Sequence, residues 1–293
     1  MMRVLILGAT GMLGHKLYQR YRQRFDVYAT VRSSYAAYQH YGIFDADRII
    51  GGTDATNFSS IVRAVAQVEP DAIINCIGII KQLKAGKDPL PSIQLNALFP
   101  HQLADLSRAA NARLIHISTD CVFKGLGSMY TEDSPSDAED LYGRTKYLGE
   151  VDGPGVLTIR TSIIGRELNS QSGLIEWFLS NPPGSMVRGF QKAIFSGFTT
   201  IRLAEIIADV LENHPELHGL YQVSSEPINK YDLLMLVRDA FEVNITIEPD
   251  TAVQIDRSLD SSKFRTATGF EPPAWSTMIT EMAQDPTPYE QWK

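Results

Sequence analysis

The sequence predicts an α/β protein built on a doubly wound parallel sheet, with a smaller, irregular C-terminal portion. Three observations predict it. Apolar, β-branched runs alternate with helix-like stretches through residues 1–165. Those runs are apolar throughout rather than alternating, as strands covered on both faces are. The first of them leads directly into a glycine-spaced turn and then a helix.

The elements follow in order. Arg3–Leu7 reads as a buried strand, Gly14–Arg24 as the helix after it, and Asp26–Val31 as a second strand. Phe58–Val68 has helical apolar spacing, Ala72–Ile77 is a strand, and Leu95–Ala110 is a helix. Leu114–Ser118 and Val156–Arg160 are further strands. Strand and helix repeated in this order imply right-handed crossovers and a parallel sheet. After about residue 165 the pattern loosens. Asn181-Pro182-Pro183-Gly184 marks a turn, Ile201–Leu211 and Tyr231–Phe241 read as helices, and short strands with Pro-rich turns fill the rest. The expected organisation is a dinucleotide-binding domain over 1–165 and a mainly substrate-binding portion over 166–293, some elements of which return to the first domain. Such a portion laid over the strand ends is a common way to close a pocket.

Composition narrows the function classes. The chain has 293 residues, 44% hydrophobic and 21% charged, which is ordinary soluble globular composition. That length fits one large domain or two fused ones. The net charge is −7 and there is no basic block, which argues against nucleic acid as a partner. One or two basic groups still suffice for a nucleotide. The cysteines, Cys76 and Cys121, lie in apolar runs without zinc spacing or a disulfide framework, as in a reducing compartment. The apolar start before Gly8 is too short for a signal peptide, and no run approaches the roughly 20 residues of a membrane span. The expectation is a cytoplasmic protein with no metal, membrane or nucleic-acid partner; a homodimer is compatible with it.

The run Val4-Leu5-Ile6-Leu7 enters Gly8-Ala9-Thr10-Gly11-Met12-Leu13-Gly14. In a strand–turn–helix of this kind the first glycine makes the tight turn and the second admits a pyrophosphate. The third packs helix on strand, and the helix N-terminus faces the anion. The spacing is G-x-x-G-x-x-G rather than G-x-G-x-x-G. It predicts dinucleotide binding on a Rossmann-type sheet, through Gly8, Thr10, Gly11, Met12 and Leu13. NAD enzymes place Asp or Glu at the end of the second strand. Here that place reads Thr30-Val31-Arg32-Ser33-Ser34, without a carboxylate. Arg32 and Ser33 suit a 2′-phosphate, hence NADPH, with NAD as the alternative; a solvated loop arginine is the bland reading. Asp54 is either a reader of the adenine amino group or a turn aspartate.

Tyr142-Gly143-Arg144-Thr145-Lys146 places Tyr and Lys on one helix face. A tyrosine with pKa near 10 is a poor acid at neutral pH, and a nearby ammonium favours its phenolate. The pair can then pass a proton to or from a carbonyl oxygen. Upstream, a strand ends at Ser118-Thr119-Asp120, whose hydroxyls suit the same oxygen.

These motifs together resemble the extended short-chain dehydrogenase/reductases, over nearly the whole chain. The resemblance rests on Gly8, Gly11 and Gly14, on Asn75-Cys76-Ile77-Gly78, on Asn96, and on Thr119 (or Ser118), Tyr142 and Lys146. Within that superfamily the chain looks most like dTDP-4-dehydrorhamnose reductase and its relatives. Ser118-Thr119-Asp120-Cys121-Val122-Phe123 is similar to S-T-D-Y-V-F, and Tyr142 to Glu150 follows Y-G-x-T-K-x-x-G-E. Arg257-Ser258-Leu259-Asp260, then Pro272 and Trp275, resembles the closing segment.

The resemblance implies that Tyr142 donates a proton to a keto oxygen of a nucleotide-linked sugar, with Thr119 hydrogen-bonded to it. It implies that Lys146 lowers the tyrosine pKa and holds the nicotinamide ribose, and that the cofactor delivers hydride. Cys76, Ile77, Gly78, Asn96, Tyr142 and Lys146 would then line the cofactor; Asp120, Cys121 and Arg257 would face the sugar. The dehydratase branch carries Asp-Glu after the threonine; Asp120-Cys121 lacks that acid, which favours simple reduction. Departures lie at Cys121, at Arg160-Thr161-Ser162-Ile163 in place of R-x-S-W, at Gln191–Thr200 in place of D-Q-x-G-x-P-T, and across Ile79–Pro91. They imply a 4-keto-6-deoxysugar other than dTDP-4-dehydrorhamnose.

Two rival functions stand beside the ketoreductase: a nucleotide-sugar epimerase that retains NAD, and a non-catalytic NADP-binding regulatory subunit. Several residues have plain readings. His15 is expected on the helix surface, His116 as a satisfied core histidine, and Cys121 as a small buried hydrophobe. Trp177 and Phe178 either wall a ligand or cap the core.

Overall fold

Val4–Leu7 are wholly buried, and with Arg3 they form β1 (Arg3–Leu7), an interior strand of a seven-stranded sheet in a computed structural model that describes residues 1–81 and 84–292. The chain continues through α1 (Met12–Tyr21), β2 (Asp26–Thr30), β3 (Ile49–Ile50), α2 (Phe58–Val68) and β4 (Ala72–Asn75). A short α3 (Pro89–Ser92) passes through a π-helical turn at Ile93–Leu98 into α4 (Phe99–Ala109). Then come β5 (Arg113–Ile117), α5 (Leu141–Leu148) and β6 (Val156–Arg160). After these follow β7 (Ile163–Ile164), α6 (Leu174–Leu179), β8 (Met186–Phe195), β9 (Phe198–Thr199), α7 (Thr200–Asn213) and β10 (Gly219–Gln222). The chain closes with β11 (Ile228–Asn229), α8 (Lys230–Ala240), β12 (Thr246–Asp256), α9 (Ser262–Thr268) and α10 (Trp275–Ala283).

Two compact units divide the chain. One comprises Met1–Ser118, Glu139–Ile159 and Ala204–Leu220; the other comprises Thr119–Ala138, Arg160–Leu203 and Tyr221–Lys293.

The first unit is the doubly wound sheet expected from the sequence, in the order β10-β6-β5-β4-β1-β2-β3. From β3 through β2, β1, β4 and β5 to β6 the neighbours pair in parallel. The chain winds outward from β1 to β3, then returns to β4 and winds the other way. The order therefore reverses between β1 and β4, and ligands of such sheets bind beyond the strand ends at that reversal. Gly8 follows β1 there and Cys76 follows β4. Leu5, Leu7, Ile61, Val65, Ile73, Phe99, Leu103, Leu114 and Val156 build the core between sheet and helices. Arg113 secures the end of α7: its guanidinium donates to the carbonyls of Val210, His214 and Leu217 at 2.8–2.9 Å.

The second unit departs from the short strands expected of it. Its main sheet, β11-β8-β12, holds a ten-residue strand and an eleven-residue one, paired in parallel with a register shift between Asp250 and Gln254. The expectation fails because β12 is largely exposed and carries Pro249 and Asp250, so no apolar pattern announces it. The strands β7 and β9 form a separate parallel pair. Arg166 and Glu176, both buried, pair at 2.6 Å, and Arg166 reaches Glu290 and the Tyr289 ring, tying down the C-terminal turn.

His15 is a second departure. It is fully buried in α1, with Nδ1 2.8 Å from Gly11 O one turn back, because Leu13 to Tyr18 are buried in succession and the helix has no open face there. Among the described residues no helix is long and apolar enough to cross a membrane.

Candidate functional site

The glycine turn is built for close approach. Gly8 has φ +86°, a left-handed conformation that glycine adopts without strain. A Cβ at Gly14 would stand 2.1 Å from Gly8 O, so only glycine lets α1 begin this close behind β1. The turn is tied to β2 by Ala9 N–H donating to Thr30 O at 3.0 Å and Gly8 N–H donating to Thr30 Oγ1 at 3.2 Å. Gly11 caps α1 without a side-chain hydrogen bond, and no acidic residue follows in the first turn. Among the described residues no side chain is seen to satisfy the first-turn amides, those of Met12 and Leu13 among them, and the positive end of the helix dipole adds to them. A pyrophosphate fits this cradle.

At the end of β2, Arg32, Ser33 and Ser34 are exposed. Ser33 N–H reaches Tyr38 Oη at 3.4 Å, and Gly52 N–H donates to Ser33 O at 3.2 Å. Asp54 accepts from Thr56 N–H and Thr56 Oγ1, both at 2.9 Å, which is the turn arrangement. Those bonds, the backbone one foremost, hold its carboxyl below the usual range, with the Arg32 charge adding to them.

The helix α5 starts at Asp140, whose carboxylate accepts from Gly143 N–H at 2.9 Å. It carries both Tyr142, half-buried, and Lys146, 5% exposed. The Lys146 amine donates to Ile117 O, the last carbonyl of β5, at 2.7 Å. Burial pushes its pKa down to about 8, while the Glu150 charge pulls the other way. The Cys76 thiol is pushed up to about 12 by burial, so it stays neutral. The π-helical turn presents Asn96, whose Oδ1 accepts from Ile79 N–H at 2.8 Å and whose Nδ2 donates to Ile79 O at 2.9 Å. Asn96 thereby holds the segment that follows Cys76, Ile77 and Gly78. A Cβ at Gly149 would lie 1.8 Å from Asn96 O, so a glycine at the end of α5 lets the two helices touch.

Asn75 and His116 sit opposite one another in register on β4 and β5. Asn75 Oδ1 accepts from Ile77 N–H at 3.1 Å, which turns its Nδ2 toward His116 Nδ1 at 3.0 Å. That bond puts the imidazole proton on Nε2, which has no hydrogen-bond partner among the described residues. His116 is thus a core histidine satisfied on one nitrogen only, and burial, with the Lys146 charge second, holds its pKa well below the usual range.

Thr119, Asp120, Cys121 and Arg257 belong to the second unit. Thr119 Oγ1 donates to Asp120 Oδ1 at 3.1 Å and accepts from Cys121 N–H at 3.1 Å. Cys121 is half-buried in that turn, not a core residue. Arg257 Nε donates to Phe123 O at 2.7 Å, and the Phe123 ring stacks on Tyr130 at 4.1 Å. Phe178 is buried in the core, whereas Trp177 is 41% exposed. Of the segment Ile79–Pro91, residues 82 and 83 lie outside the described residues.

One contact was not anticipated. Ser118 Oγ donates to Glu150 Oε1 at 2.7 Å, joining the end of β5 to the residue just beyond α5. The sequence carries no signal for it, because the two residues stand 32 apart and no period links them.

The chain matches the RmlD substrate binding domain family over residues 2–287. It belongs to that family. That family is the dTDP-4-dehydrorhamnose reductase-like group of extended short-chain dehydrogenase/reductases that the motifs resemble. Methionine adenosyltransferase 2 subunit beta of Mus musculus is 25% identical over 285 residues, covering 90% of this chain and 82% of that one. The dTDP-4-dehydrorhamnose reductase of Streptomyces griseus is 33% identical over 149 residues, covering 50% of this chain and 43% of that one. Among solved structures, a hypothetical dTDP-4-dehydrorhamnose reductase from Sulfolobus tokodaii is similar with a TM-score of 0.75 and 26% identity, over 94% of this chain and 98% of that one. The dTDP-4-dehydrorhamnose reductase of Bacillus anthracis in complex with NADP shares the fold, with a TM-score of 0.78 and 22% identity, over 96% and 98%.

Proposed function

We propose that this protein is an NADPH-dependent reductase of the keto group of a nucleotide-activated 4-keto-6-deoxysugar. The observation that carries this reading is the buried Lys146 amine, one helical turn beyond Tyr142 on α5 and bound to Ile117 O at 2.7 Å. An ammonium held there favours the phenolate of its neighbour and so makes Tyr142 a usable acid. With a pKa of about 8, that amine is mostly charged at neutral pH. In this reading Tyr142 gives its proton to the keto oxygen, and Thr119 carries the hydroxyl of the family's trio. Bound NADPH supplies the hydride.

The cofactor assignment draws on residues of the first unit. Gly8, Thr10, Gly11, Met12 and Leu13 would cradle the pyrophosphate, and Cys76, Ile77 and Gly78, with Asn96 behind them, would line the nicotinamide side. Arg32 and Ser33, exposed where an NAD enzyme carries a carboxylate, would hold the 2′-phosphate, and Asp54 would face the adenine. Asp120, Cys121 and Arg257 would belong to the sugar side. The test is oxidation of NADPH with a panel of dTDP-, UDP- and GDP-linked 4-keto sugars. Tyr142→Phe is expected to lower kcat by about 10²–10⁴-fold; an unchanged rate refutes the reading.

A second reading, an NADP-binding subunit of a larger assembly that turns nothing over, is favoured by one observation. The similarity to methionine adenosyltransferase 2 subunit beta spans 90% of this chain, against 50% for the Streptomyces griseus reductase. It gains if NADPH raises the melting temperature while no sugar in the panel is reduced.

A further inference from the structure

Lys146 is a buried cation whose nearest chemistry is mostly neutral. The Ile117 carbonyl accepts one of its protons, the Cys76 thiol of the β4 end is un-ionised, and the imidazole of His116 on β5 is uncharged. Tyr142 stands one turn before it on α5, and the charge of Glu150, beyond the C-terminus of that helix, acts on it. Glu150 is therefore the carboxylate whose charge opposes the cost of burying the ammonium. It is not left to rotate freely: Ser118 Oγ, itself 4% exposed, donates to Glu150 Oε1 at 2.7 Å. Ser118 follows directly on Ile117, so the same strand end holds both the lysine, through a carbonyl, and the glutamate, through a hydroxyl.

We propose that Glu150 is a positioning residue: tethered by Ser118, it keeps the Lys146 ammonium charged, and with it the acidity of Tyr142. The functional sense of this rests on the reductase reading, but the electrostatic link does not.

Glu150→Gln separates charge from geometry, because the amide oxygen still accepts from Ser118. The readout is the pH range over which the stabilities of a protein with Lys146 and its Lys146→Met counterpart diverge. Setting Glu150→Gln in both is expected to move the lower edge of that range down by about one pH unit, the upper edge being set by the unfolded chain. Ser118→Ala, in which the carboxylate loses its tether, moves it the same way by less. In turnover, the alkaline limb of the NADPH-oxidation profile moves down with it, and Glu150→Asp restores part of the shift. A range that stays put in Glu150→Gln, with stability lowered equally at every pH, assigns Glu150 a merely structural role and overturns the proposal. If Glu150→Gln does not fold, an unmoved range in Ser118→Ala does the same. If the wild-type protein reduces no sugar, the reductase reading falls, and the stability measurement still decides the role of Glu150.

Discussion

Replacing Lys146 with methionine isolates the electrostatics of the buried amine. Its ordinary pKa of 10.5 is lowered to about 8 in the folded protein, chiefly by burial. At 1.36 kcal/mol per pH unit, that gap is worth about 3 kcal/mol between the two protonation states. The sign follows from proton counting. Between about pH 8 and 10.5 the unfolded chain holds the proton and the folded one has released it, so stability rises with pH across that window. Below pH 8 the full cost of burying the charge is carried. Methionine has similar length and no titration, so the wild-type protein gains about 3 kcal/mol on Lys146→Met between pH 7 and 10.5. Urea unfolding of both proteins at several pH values measures it, and the difference cancels the titration of other groups. Parallel stability curves, diverging by less than about 0.5 kcal/mol, would falsify the claim that Lys146 is held as a buried cation.

Three other outcomes are expected. Gly149→Ala forces its Cβ against Asn96 O, at 1.8 Å before relaxation, and is expected to cost at least about 2 kcal/mol in thermal unfolding and to lower cofactor affinity; a melting temperature within a degree of wild type contradicts the close approach. Arg113→Met strips three carbonyls near the end of α7 of a charged donor and is expected to cost about 3 kcal/mol in urea unfolding, a loss under 1 kcal/mol being inconsistent with the cap. Arg32→Ala is expected to weaken NADPH about tenfold or more in titration calorimetry and leave NADH unchanged; equal effects on both remove Arg32 from the 2′-phosphate.

What the sequence made legible was local. β1 and α2 match their expected bounds, and α5 carries Tyr142 and Lys146 where an i, i+4 spacing puts them. Each is a pattern a window of residues can hold, because burial on one side imposes a period. The glycine turn was legible for the same reason, since a left-handed φ at Gly8 and an excluded Cβ at Gly14 act within seven residues. β12 was hidden by the opposite circumstance: an exposed strand has no face that must be apolar. His15 was misread because helix periodicity assigns a solvent face, whereas α1 is covered all round from Leu13 to Tyr18.

The electrostatic setting of the candidate site depended on register rather than pattern. Asn75 meets His116 because β4 and β5 align those two residues, and Ser118 meets Glu150 across 32 residues because a strand end and a helix end arrive together. No period encodes such meetings. They follow from how far α5 slides along β5, and that slide is fixed by small residues: Gly149 lets α5 rest on Asn96, and Thr145 lies within reach of the Asn96 amide at 3.4 Å. A residue with no charge and no side chain thus sets the distance at which Lys146 meets Ile117 O and Glu150 meets Ser118. The chemistry of the pair Tyr142 and Lys146 can be read from the sequence, but the strength of their coupling to the sheet depends on packing at Gly149. That is why Gly149→Ala is expected to disturb cofactor affinity as well as stability, although the residue carries no functional group of its own.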